Sequence, residues 1–87
     1  MKASDIPDDE ILGFIRDCNE GRGPNLPSYR PGEERWCFTW DLEERFPDFP
    51  YKVILAKCRG LHKRGLIGGC TCGCRGDFAV VDSDLSY

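Results

Sequence analysis

Between Pro50 and Gly65 the chain carries one uninterrupted helical pattern, and this segment decides what the rest can be built around. Tyr51, Ile54, Leu55, Cys58 and Leu61 recur at three- and four-residue spacing, which predicts a helix over Tyr51–Arg64 with those side chains facing a core. Pro50 suits a helix start, where no amide is needed, and Gly65 suits the turn that ends one. The period then changes. Leu66-Ile67-Gly68 and Asp77-Phe78-Ala79-Val80-Val81 read as strands on either side of the glycine- and cysteine-rich turn Gly69–Gly76, which makes a hairpin.

A helix and a hairpin need apolar partners from upstream. Asp8–Glu20 supplies one, an amphipathic helix with Ile11, Leu12, Phe14, Ile15 and Cys18 on one stripe, acids in its first turn and Gly21 at its end. Trp36-Cys37-Phe38 reads as a short strand. Thr39 is then the expected N-cap of a second helix, Trp40–Phe46, with Leu42 and Phe46 inward and Pro47 as its stop. Residues 21–35 hold too many prolines and glycines for either regular structure. A loop of that length is either functional or mobile, and mobile is the expectation here. Residues 82–87 read as a polar tail.

The expected class is therefore α+β: one domain over residues 1–87, with helices at about 8–20, 40–46 and 51–64 and a hairpin at about 66–81. Its 87 residues leave room for a single core. No apolar run reaches the length of a membrane span, and the acidic N-terminal residues do not form a signal region, so a cytoplasmic protein without membrane partners is expected.

Net charge is −3, which taken alone counts against nucleic acid. The distribution points the other way. Met1–Phe49 carries twelve acidic and six basic residues, whereas Pro50–Gly76 carries six basic residues and no acidic one. Such segregation gives an electropositive face on an acidic body.

The stretch Val53-Ile54-Leu55-Ala56-Lys57-Cys58-Arg59-Gly60-Leu61-His62-Lys63-Arg64-Gly65-Leu66-Ile67 resembles the recognition helix and wing entry of winged helix-turn-helix regulators such as the multiple-antibiotic-resistance regulator family. There an amphipathic helix ends in leucine, a basic pair and Gly-Leu-Ile. The resemblance spans about Trp36 to Val81 and implies three helices with a two- or three-stranded wing. The long dimerisation helices of that family have no counterpart here, so dimerisation and effector binding are not carried over. The size and the cysteine-rich wing resemble small winged-helix proteins of bacterial viruses or mobile elements.

The resemblance implies double-stranded DNA as partner and transcriptional regulation, or an accessory role in it, as function. Lys52, Val53, Ala56 and Gly60, with Lys63 continuing the row, are the expected groove-facing residues. Lys57, Arg59 and Arg64 are expected on the phosphate backbone, and Arg75 at the wing tip. Two other readings stay open. The same fold can serve as an interaction module for a partner protein, through the acidic first half or the Trp36/Trp40 region. The wing thiols can also form a zinc or redox switch.

Six cysteines is a high count for this length, and in the expected compartment they stay reduced. Cys70, Cys72 and Cys74 alternate, so an extended chain turns them to one side. Zinc needs a fourth ligand and wider spacing, which makes the three an awkward set, with His62, Cys58 or a side chain from elsewhere to complete it, and uncomplexed or redox-labile thiols are the expectation. Cys18, Cys37 and Cys58 are expected as small core residues and His62 as a helix-end residue. No phosphate loop, dinucleotide fingerprint or zinc-protease motif is present, and no enzyme is expected.

Overall fold

Pro7 stands at the N-cap of the first helix, α1 (Asp8–Glu20), with φ −61° and ψ 133°. Asp8, Asp9 and Glu10 fill the first turn, where the positive helix end favours carboxylates. Ile11, Phe14, Ile15 and Cys18 are buried, and Leu12 packs at the margin of the core. In this computed structural model residues 2–69 and 77–81 are described.

After the loop come strand β1 (Cys37–Phe38), helix α2 (Thr39–Arg45), helix α3 (Tyr51–Lys63) and strands β2 (Ile67–Gly69) and β3 (Asp77–Val80). The described residues thus form an α+β fold of three α-helices and a three-stranded antiparallel sheet ordered β1-β3-β2. Ile67 faces Val80 and Gly69 faces Phe78 across the hairpin, while Cys37 faces Phe78 on the other edge. The Val81 amide also donates to the Leu66 carbonyl at 3.3 Å, which extends the pairing one step beyond the strands. Gly65, at φ +76°, makes the left-handed turn between α3 and the sheet.

One core joins these layers. Phe14 meets Phe46 edge to face at 6.4 Å between ring centroids, and Ile54, Leu61, Ile67 and Phe78 belong to the same cluster. Ile6, from the segment before α1, is fully buried in it as well. No described helix is long and apolar enough to cross a membrane.

The loop of residues 21–35, expected to be mobile, is anchored to this body. Tyr29 is buried, its hydroxyl accepts from the Gly23 amide at 3.0 Å, and a β-carbon at Gly23 would lie 2.5 Å from the Tyr29 ring. Only glycine allows that approach. Ser28 donates its amide to Glu44 at 3.1 Å, which ties the loop to α2.

Two expectations are corrected. Tyr51 lies on the apolar period of α3, yet it is exposed, because in the first turn it projects past the end of the core. Phe38, not Thr39, occupies the N-cap of α2, and Thr39 opens the helix. The Phe38 amide donates to Asp41 Oδ2 at 3.0 Å, so the cap is supplied from within the helix.

Candidate nucleic-acid interface

Helix α3 presents two unlike faces. Ile54, Leu55, Cys58 and Leu61 seat it on the core. Lys52, Ala56, Arg59, Gly60 and Lys63 are exposed on the opposite side, and Val53 is half-buried between the two. No acidic residue lies on the helix. Gly60 sits mid-helix, where glycine costs about 1 kcal/mol relative to alanine. A β-carbon there would meet nothing within 4 Å, so packing does not require glycine at this position.

The sequence-predicted cations are not equivalent. Lys57 Nζ is paired with the Asp8 carboxylate, and its side chain is only 12 % exposed. Arg64 Nη1 lies 3.0 Å from Asp8 Oδ2 with its side chain 58 % exposed. Hydrogen bonds from Lys57 and then Arg64 hold the Asp8 carboxyl below the ordinary carboxylate range. The trio borders an open surface depression of about 530 Å³, lined also by Ser4, Ile6, Pro7 and Asp9. Lys57, expected on the phosphate backbone, is thus paired with the carboxylate at the start of α1. Sequence reading missed Asp8 because its partners lie 49 and 56 positions away, beyond any local spacing rule.

Of the two hairpin strands, β2 packs beside α3 and β3 packs against α1. Arg75, Cys70, Cys72 and Cys74 lie outside the described residues. Among the described residues no group of histidine, cysteine and carboxylate side chains is arranged to hold a metal. His62 is exposed at the end of α3. Cys18, Cys37 and Cys58 are buried free thiols, as expected of core residues. Burial pushes the Cys58 thiol up to about 12, and burial together with the Cys18 thiol raises Cys37 well above its ordinary value. Neither thiol is an available nucleophile.

A second surface feature lies at the start of α2. Trp40 is 47 % exposed and stacks on Phe38, with centroids 4.6 Å apart and planes at 11°. The Arg35 guanidinium lies 5.2 Å from the Phe38 centroid, and it is held by Asp41 Oδ1 at 3.0 Å and by the Ser28 carbonyl. The stack therefore rests on a fixed base. Comparison of the chain with family models, with curated proteins and with solved structures returned no match.

Proposed function

We propose that the chain is a winged-helix protein that binds double-stranded DNA through α3 and the adjoining hairpin, in a transcriptional regulatory or accessory role. Element order and the antiparallel sheet are compatible with that fold. The observation that carries the reading is the exposed face of α3. Lys52, Arg59 and Lys63 flank the small residues Ala56 and Gly60, and the helix itself carries no acidic residue. A helix with this relief can approach a major groove closely while its cations reach phosphates or guanine edges. The role is binding, not catalysis, and the setting proposed is the cytoplasm.

Fluorescence anisotropy of a labelled random-sequence duplex across a salt series tests it. Saturable binding that weakens linearly on a log–log salt plot is expected, because phosphate contacts release counterions. Absence of binding at low salt by the folded protein ends this reading.

The exposed Trp40–Phe38 stack favours a second reading, in which the same domain is an interaction module for a partner protein. Its neighbour along α2, the exposed Glu43, suits a basic partner better than a phosphate backbone. Substituting Trp40→Ala would then remove partner binding and leave duplex binding untouched.

A further inference from the structure

We propose that Asp8 is a positioning residue for the α3 surface: its carboxylate takes the place of a phosphate on Lys57 and Arg64 and withholds both cations from the nucleic-acid backbone. The inference rests on the DNA-binding reading and adds to it a restraint built into the chain.

The geometry is that of a small oxyanion site already filled from within. One carboxylate oxygen meets Lys57 Nζ and the other lies 3.0 Å from Arg64 Nη1. A bridging phosphate would use two oxygens in the same way. Asp8 is held in place from its own side too. It follows the N-cap residue Pro7, and it sits in the first turn of α1, where the helix end attracts negative charge. Lys57 cannot simply swing outward, since its side chain is 12 % exposed. Arg64 is more accessible, yet one edge of its guanidinium is committed to Asp8.

The consequence is electrostatic. Two cations and one carboxylate sum to a single positive charge, so this end of α3 attracts phosphate less than its sequence implies. Duplex binding without sequence preference depends almost wholly on such contacts, so the pairing lowers it most. Contacts made by Lys52, Ala56 and Gly60 are left unaffected. In this way Asp8 favours discrimination over indiscriminate adhesion.

The test compares wild type with Asp8→Asn and Asp9→Asn on a random-sequence duplex across a salt series. Asp9→Asn removes the same formal charge from the neighbouring exposed position. Asp8→Asn is expected to steepen the log–log salt slope by about one unit, roughly 0.9 for the one accessible cation it releases, Arg64. Its affinity at the lowest salt should rise about tenfold or more, while Asp9→Asn changes the slope little. An unchanged or shallower slope in Asp8→Asn, with wild type binding, overturns the proposal. If neither protein binds, the DNA reading itself fails and this inference goes with it. Arg64→Ala gives a second measure that does not need Asp8 replaced. It should shallow the wild-type slope by less than half as much as Lys63→Ala does, and an equal effect counts against the restraint.

Discussion

Asn19 Oδ1 accepts a hydrogen bond from the Val80 amide at 3.0 Å, so a side chain of α1 completes the edge of the central strand. The Asn19 side-chain Nδ2 donates to the Phe78 carbonyl at 3.3 Å and to the Arg35 carbonyl at 3.1 Å. Strand β1 has only two residues, and Asn19 serves the part of β3 that it leaves uncovered. Asn19→Ala would orphan buried backbone groups, each costing about 1–3 kcal/mol. Asn19→Asp keeps the acceptor but turns a carboxylate towards two carbonyls. Both variants should lower the urea midpoint at neutral pH, with Asn19→Asp no better than Asn19→Ala. A midpoint within error of wild type for either would show that the sheet edge does not need this amide.

The facing of α3 predicts an asymmetry within one helix. Ile54 and Leu61 are buried to within 1 %, so Ile54→Ala or Leu61→Ala should cost about 2–5 kcal/mol. Tyr51→Ala, on the same period but exposed, should cost far less. Equilibrium unfolding of the three variants measures the contrast directly. Equal losses at Tyr51 and Ile54 would contradict the placement of the first turn.

What was legible in the sequence follows from how local each signal is. The three helices, the hairpin and the inward faces of Phe14, Leu42 and Ile54 could be read because periodicity is a property of neighbouring residues. Tyr51 misled because periodicity assigns a face but not the edge of the core. Tyr29 and Ile6 lie in segments without a period, and no pattern marks them as core residues. Asp41 reads as an ordinary first-turn acid; only the fold reveals that it is fully buried against Arg35. The exposed face of α3 was legible for the same reason as its buried face. The Asp8 pairing was not, since it joins two ends of the chain.

Asp41 and Asp8 should act in opposite directions on stability as pH changes. Burial raises the Asp41 carboxyl above its ordinary value, despite the Phe38 amide and Arg35. The folded state then binds that proton more tightly than the unfolded chain, so this contribution is full below the unfolded value of 3.8 and is lost as pH rises through the folded value. Asp8 is depressed, so its contribution is present above 3.8 and is lost as pH falls through its folded value. Urea midpoints of Asp41→Asn and Asp8→Asn relative to wild type, followed from pH 3 to 7, should therefore diverge with opposite slopes. Parallel curves would refute the assignment of the Asp41 shift to burial.

The three core thiols should be silent towards a disulfide reagent at pH 8. Cys18, Cys37 and Cys58 are inaccessible, and the raised thiols of Cys37 and Cys58 leave little thiolate. A variant with Cys70, Cys72 and Cys74 changed to serine isolates them. It should release no chromophore while folded and three equivalents after denaturation. Rapid modification of the folded variant would mean that the core opens far more readily than its packing implies.

Gly60 separates the demands of folding from those of binding. A β-carbon there meets open space, so Gly60→Gln should stabilise the helix by about 0.5–1 kcal/mol through propensity alone. If the small relief of Ala56 and Gly60 exists to admit a groove, the same substitution should weaken duplex binding tenfold or more by holding the helix away. The flanking cations have different tasks. Lys63 continues the groove-facing row but lies in the last turn of α3, and if it meets a phosphate there, Lys63→Ala should weaken all sequences alike and shallow the salt slope by about one unit, since phosphate contacts carry no sequence information. Lys52, in the first turn where base edges are reached, should instead cost about 1–3 kcal/mol on a preferred site when changed to alanine, and relax discrimination there. A Gly60→Gln protein that is more stable and binds duplex as well as wild type would remove the groove from the account. Trp40 would then be the surface to pursue.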